Sequence, residues 1–385
     1  MNRRRLLQAL AAAPLAVKLP ALAALPRQRL LVLVFLYGGN DGFNTWVPYT
    51  DSLYYRLRPT LAVPRDAVLR FTDRHGWHPA LRPLMDVWDA RELAIVQGLG
   101  YAEATQQHYR DMEIAFTAVD QEVSADEGWV ARALARAPWK PRGLGGIGFD
   151  VLDIRGLDPM GPFRGEHVAA VQVHDAAELL QRRRIAECAI VANARAQPLV
   201  GTLPALPPRT MTTAFPQDPF GQAMKAVVEL AAADPSLPVI HVALNGLDGD
   251  KHHAFDTHWN QLRHHGAALK RLAEGLVALR AGLREIGRWE ESLVATYDEF
   301  GRSPVENGEH GTHHGLATTH FVMGGRVKGG LYGEAPPVQD LHQIGGPPPS
   351  VDTRRLWTTV VQDWWGLDGS AVFRHRYPRL ELLRA

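Results

Sequence analysis

The chain carries one uninterrupted apolar run, residues 29–37, which reads Arg-Leu-Leu-Val-Leu-Val-Phe-Leu-Tyr and stops on Gly38-Gly39-Asn40-Asp41-Gly42. It has no polar alternation and is rich in branched residues. Such a run is a strand buried on both faces, and strands of that kind belong to parallel sheets covered by helices. Residues 93–97, 239–244, 292–297 and 320–324 read as further strands. Helical apolar spacing predicts helices over 78–90, 108–119, 129–137, 176–196, 222–233, 259–286 and 353–365. The stretch 138–165 is rich in Gly and Pro, 196–219 carries six prolines and little periodicity, and both read as irregular. Strands alternating with long helices mean crossover units and a mostly parallel sheet. The expected fold is therefore α/β, a large mostly parallel sheet sandwiched by helices. No internal repeat or Gly/Ser linker divides residues 27–385, which read as a single domain.

Composition excludes several classes. There are 42 Lys+Arg against 41 Asp+Glu, and this near balance gives no reason to expect nucleic acid as a partner. The single cysteine, Cys188, excludes an intramolecular disulfide and a Cys-rich metal cage. Flavin, iron–sulfur and c-type haem chemistry also lack their sequence signatures, which argues against an oxidoreductase. The 17 histidines, by contrast, are enough to build imidazole metal sites.

Residues 1–26 read as an address. Arg3-Arg4-Arg5-Leu6-Leu7 is followed by a short apolar stretch and by the small residues Ala21-Leu22-Ala23. That is the order of a secretory signal of twin-arginine type. The stretch is too short for the roughly 20 residues that span a bilayer, so no stable membrane insertion is expected. The implied location is periplasmic or secreted, with the protein passed to the twin-arginine export machinery already folded.

In open α/β sheets ligands sit beyond the carboxyl ends of the strands. Several polar groups follow the predicted strands. Asp41 stands just past the first, flanked by Gly39 and Gly42. Asp256-Thr257-His258, preceded by His252 and His253, follows the third. Asp298-Glu299-Phe300-Gly301-Arg302 follows the fourth, where Arg302 is suited to clamp an oxyanion. Thr312-His313-His314-Gly315 lies beyond, and His108 opens a helix. Taken singly, most of these are equally well read as turns, helix caps or local ion pairs. Together they place carboxylates and imidazoles at one sheet edge, the composition of a metal-assisted hydrolytic centre.

The same segments resemble a family. Gly38-Gly39-Asn40-Asp41-Gly42-Phe43-Asn44-Thr45, Phe255-Asp256-Thr257-His258, Glu299-Phe300-Gly301-Arg302-Ser303-Pro304, Thr312-His313-His314-Gly315 and Gly324-Gly325-Arg326-Val327-Lys328-Gly329-Gly330 resemble the ordered motifs of the domain-of-unknown-function 1501 family. That family is similar to the alkaline phosphatase and sulfatase superfamily. The resemblance implies an alkaline-phosphatase-like sheet, one or two divalent ions at its carboxyl edge, and hydrolysis of a phosphate or sulfate ester. It implies Asp41 as the first-strand metal ligand, matches Asp256 and His258 to a later acid and imidazole pair, and matches Glu299 and His314 to the family's Glu-Phe-Gly-Arg and Asp-His-Gly motifs. Two positions depart from the family pattern. His313 stands where Asp is common, and Gln107 stands where Ser commonly precedes the imidazole matching His108. Without that Ser, Thr45 and Thr105 are the nearest hydroxyls, and a metal-activated water would need none.

The working expectation is thus an exported hydrolase of a small-molecule or polymer ester. Asp41, Asp256, His258, Glu299, His313 and His314 hold Zn, Mn, Mg or Ca, Arg302 stabilises charge on the ester, and His108 orients substrate or shuttles a proton. The alternative is a non-catalytic metal-binding or scaffold protein of the cell envelope on the same fold, working with an envelope protein as partner.

Overall fold

The computed structural model describes residues 28–149, 158–246, 254–338 and 345–384. The signal-like segment 1–26, together with His252 and His253, lies outside the described residues.

The apolar run folds as β1 (Leu30–Leu36), with all seven residues buried. Strand alternation splits it between two layers. Leu30, Val32, Val34 and Leu36 face one apolar cluster with the helices Pro219–Ala233 and Gln261–Glu285. Leu31, Leu33 and Phe35 face another with the helices His108–Thr117, Trp129–Ala135 and Thr353–Thr359. Burial on both faces is why this strand needs no polar residue, and the result is a sheet between two helical layers.

The main sheet has 10 strands among the described residues. After β1 come β2 (Leu93–Gly100), β3 (Gly146–Phe149), β4 (Ala170–Val173), β5 (Ile190–Ala192), β6 (Val239–Leu244), β7 (Ser292–Tyr297), β8 (Thr318–Met323), β9 (Gly330–Tyr332) and β10 (Val351–Asp352). Their spatial order is β9-β2-β8-β7-β1-β6-β3-β4-β5, with β10 beside β2. β1 pairs in parallel with β6 and β7, placing Leu36 opposite Leu244 and Phe35 opposite Tyr297. The three central strands therefore end at one edge. β8 runs antiparallel to both β7 and β2, so β2 points the same way as β7 and also ends there.

Several sequence expectations are corrected. The Gly-rich region 138–165 holds strand β3, because its glycines serve close packing. A Cβ on Gly148 would lie 1.6 Å from Gln172 Oε1 on the neighbouring strand. The long helix expected over 176–196 ends at Arg182, where Arg183 turns left-handed at φ 63°, and the chain returns as edge strand β5. The helix expected over 78–90 begins as a 3-10 helix, Pro79–Leu84, with Pro83 inside it. The last helix passes into a π-helical turn, Val360–Trp364.

Candidate metal centre

Gly38 and Gly39, the two residues after Tyr37, adopt φ 103° and 88°. A Cβ on Gly38 would stand 2.2 Å from Asp256 N, and one on Gly39 would stand 2.7 Å from Phe300 O. The glycines let the loops after β6 and β7 close over the end of β1, which brings Asp256 and Glu299 to one place.

His108 Nε2, His258 Nε2, His314 Nε2 and Asp256 Oδ1 converge there, the ligand atoms of these four residues all lying within 4.8 Å of one another. His258 Nε2 is 2.9 Å from His314 Nε2. Asp256 Oδ1 is 3.1 Å from His258 Nε2 and 3.5 Å from His108 Nε2. His314 comes from the short strand Thr312–His314, which pairs with Arg302–Glu306.

Two of the imidazoles are held from behind. His314 Nδ1 lies 2.7 Å from Gln106 O, and His108 Nδ1 lies 2.9 Å from Glu299 Oε1. Both partners are oxygen acceptors, so each Nδ1 carries the proton it donates. His314 Nε2 is then left with a lone pair facing the cluster. This is the arrangement that orients metal-binding histidines. The Gln106 carbonyl is itself positioned by Asp111, whose carboxylate accepts from the N–H groups of Thr105 and Gln106.

Charge is unevenly distributed. Burial alone would raise the Asp256 carboxyl, but hydrogen bonds from His108 and His258 and the charge of Arg302 hold it well below the usual range. Burial pulls His108 down, yet Asp256 and Glu299 outweigh it and raise the imidazole to about 9. Burial, with the charge of Arg302, lowers His314 to about 3. Burial raises Glu299, whose Oε2 has no hydrogen-bond partner among the described residues.

A divalent cation fits this set. Three imidazole nitrogens and one carboxylate oxygen are the donors of a zinc-type site. Glu299 Oε2, which has no hydrogen-bond partner among the described residues, leaves an unpaired acceptor behind His108. A cation entering here displaces the His108 proton, because a ligating imidazole must be neutral.

Other expected residues are placed elsewhere. Asp41 is fully buried in an ion pair with Arg58, and its oxygens also accept from Phe43 N, Asn44 N and Gln261 Nε2. It caps the short helix Gly42–Thr45 and is not among the four converging groups. His313 is exposed and alternates away from His314 along its strand. Glu299 contacts the set through His108. Arg302 is buried, and its donors are already committed. Nε donates to Gly39 O, Nη1 faces Thr312 O and His258 Nε2, and Nη2 donates to Gly38 O and Asp256 Oδ1. With those contacts made, Arg302 clamps Asp256 and the end of β1. The hydroxyls of Thr45 and Thr105 are also committed, donating to Asn40 Oδ1 and Asp111 Oδ1.

Sequence reasoning missed Arg58, Gln106, Asp111 and Gln261, because each acts through a neighbour rather than at the site itself. It also missed the exposed aromatics Tyr109 and Trp259, which adjoin His108 and His258 in the chain. The signal was there in the sequence as an aromatic immediately after each of these histidines.

A family profile described as "Protein of unknown function (DUF1501)" matches residues 172–375. No curated protein matches the sequence. Among solved structures, Ps i-CgsB in complex with k-i-k-neocarrahexaose is 8% identical, with a TM-score of 0.46 over 89% of this chain and 73% of that one. The PsFucS1 sulfatase from Pseudoalteromonas sp. is 11% identical, with a TM-score of 0.40 over 89% and 69%. The phosphonate monoester hydrolase SpPMH from Silicibacter pomeroyi is 11% identical, with a TM-score of 0.42 over 89% and 74%. These are likenesses of architecture and carry no activity across.

Proposed function

The chain belongs to the DUF1501 family, whose description assigns no activity, and from the chemistry of the site itself we propose that it is an exported, metal-dependent hydrolase of phosphate or sulfate esters. The observation that carries this reading is the 2.9 Å approach of two imidazole Nε2 atoms, His258 and His314, beside a carboxylate oxygen. With His314 Nδ1 donating to Gln106 O, that contact holds either one shared proton or a cation.

When bound, a divalent ion would supply Lewis acidity and a water activated near neutral pH. Asp256, His258, His314 and His108 would hold it. Glu299 keeps the His108 ring turned inward, and Arg302 keeps Asp256 ionised. His108, with Nδ1 donating to Glu299, would present Nε2 to the ion once its proton there is lost. Trp259 and Tyr109, 46% and 58% exposed, offer apolar faces next in the chain to His258 and His108, and favour an ester with a ring to cover. Since no Ser occupies position 107, attack by water is favoured over a covalent intermediate on the protein. No helix among the described residues is long and apolar enough to cross a membrane. The basic, apolar start of the sequence supports export by the twin-arginine machinery.

The saturated Arg302 guanidinium favours a second reading, a metal-binding envelope protein without turnover, because it leaves no described cation free for a transition-state oxyanion at the cluster. One experiment separates the two. Metal content is measured on the purified protein, and turnover is measured on sulfate and phosphate ester panels, for wild type and Asp256→Ala. Stoichiometric metal with turnover that disappears in Asp256→Ala supports the hydrolase. Stoichiometric metal without turnover supports the binding protein. Failure to take up any divalent metal sinks both.

A further inference from the structure

At the opposite end of β1 lies a concave site whose chemistry differs from that of the His/Asp cluster. A cavity of about 480 Å³ opens beside Arg29, the residue preceding β1. β1 spans seven residues at about 3.3 Å each, so this cavity lies roughly 20 Å from the His/Asp cluster. Its volume is within the range of small-ligand sites.

Its cations come from three distant parts of the chain. Arg29 comes from the entry to β1, Arg326 and Lys328 follow β8, and Arg379 and Arg384 belong to the C-terminal segment. Two carboxylates, Asp363 and Glu381, share the lining, so five cations against two acids leave a net +3. The whole chain carries a formal net charge of only +1, and the excess here is therefore a local concentration. Residues 1–27 contain no Asp or Glu that would neutralise it.

The cations are not all spent on the protein. Asp363 is taken by Arg379. Arg29 is steadied by Trp364, donating to its carbonyl at 2.7 Å with the guanidinium 5.3 Å from its ring centre. Arg384 donates to Arg91 O at 2.6 Å. These bonds to neutral carbonyls fix the guanidinium groups without cancelling their charge. The side chains of Arg326 and Lys328 make no hydrogen bond or ion pair among the described residues. Burial, and then the like charge of Arg326, hold Arg29 below the ordinary guanidinium value, as expected for cations gathered without enough anions. Positive charge collected in a concave site focuses the field on an anion, and Arg forks match the oxygens of phosphate and sulfate.

We propose that this cavity binds a multiply charged oxyanion, a phosphate or sulfate group, at a site separate from the candidate metal centre. The proposal does not depend on the chain being a hydrolase. The group is either free in solution or carried on a polymer, and the two sources are separable by experiment.

Isothermal titration at low ionic strength uses inorganic pyrophosphate as the free probe and dextran sulfate, with uncharged dextran as control, as the polymer probe. Wild type is expected to bind at least one charged probe and to ignore dextran. The double variant Arg326→Glu/Lys328→Glu changes two side chains without described partners, so it should keep its melting temperature and bind at least tenfold more weakly. His314→Ala, altered at the other end of β1, should bind as wild type does. Tighter binding of dextran sulfate per charged group assigns the site to a polymer, and equal or tighter binding of pyrophosphate assigns it to a free anion. No binding of either charged probe at millimolar concentration overturns the proposal. So does binding that survives in the double variant.

Discussion

His108 Nδ1 lies 2.9 Å from Glu299 Oε1, and the same carboxylate oxygen accepts the N–H of Gly38 at 2.9 Å. Glu299 thereby ties the orientation of one imidazole to the first residue of the glycine pair after β1. Partners of this kind typically govern metal affinity by about 10–100-fold. Glu299→Ala should weaken zinc binding by about that factor, measured by competition with a chromophoric chelator. Affinity within twofold of wild type would show that the His108 ring does not need this anchor.

His313 and His314 are adjacent in sequence but have opposite fates. His314 faces the cluster, and His313 is exposed. His314→Ala should abolish stoichiometric metal binding, while His313→Ala should leave the affinity within about twofold. Metal analysis of the two purified variants checks this. Equal losses would mean that both imidazoles ligate.

Asp41 and Arg58 form a fully buried ion pair. Removing one partner strands the other charge, at a cost of about 3–5 kcal/mol. Asp41→Ala should therefore lower the urea midpoint sharply. The double change Asp41→Ala/Arg58→Met should recover most of the loss, because it buries no lone charge. If Asp41→Ala instead loses metal while keeping its stability, Asp41 is a ligand after all.

His241 and His265 are both buried, and burial lowers each to about 3. In the unfolded chain they take up protons near pH 6.5. Between those values the unfolded state binds more protons, so this stability is full above about pH 6.5 and is lost as pH falls towards 3. Each histidine contributes a slope of at most about 1.4 kcal/mol per pH unit in that window. Urea unfolding from pH 7.5 to pH 4.5 should show it. His241→Gln should remove one histidine's share while leaving Tyr297, which lies 2.9 Å from His241 Nε2, a partner. A flat profile over that range would mean that these imidazoles are not held neutral.

The order of residues along the chain already carried the sheet's centre. The strands 239–244 and 292–297 fold with the expected bounds, and β1 runs from 30 to 36 within the expected 29–37. Burial on both faces leaves a continuous apolar run, which is a local signal. β3 and β5 left no such signal. Gly146 and Gly148 look like loop residues until Phe163 and Gln172 are seen packed against them. Ile190 and Val191 belong to an edge strand that exists only because β4 is there to pair with.

At the site, the types of residue were present in the sequence, but their roles were not. Asp, Glu and His after strand ends announced a polar edge, because chain direction alone sends those loops to one side of a parallel sheet. Which of them meet was decided in three dimensions. Arg58, 17 residues after Asp41, neutralises that carboxylate, and Arg302 spends its hydrogen bonds on the turn it follows. His108 enters the cluster from a helix nearly 150 residues before Asp256. A side chain's charge is a property of the residue, whereas its partner is set by the packing of loops from distant strands. That packing rests on Gly38 and Gly39, where the absence of a Cβ lets the loops approach.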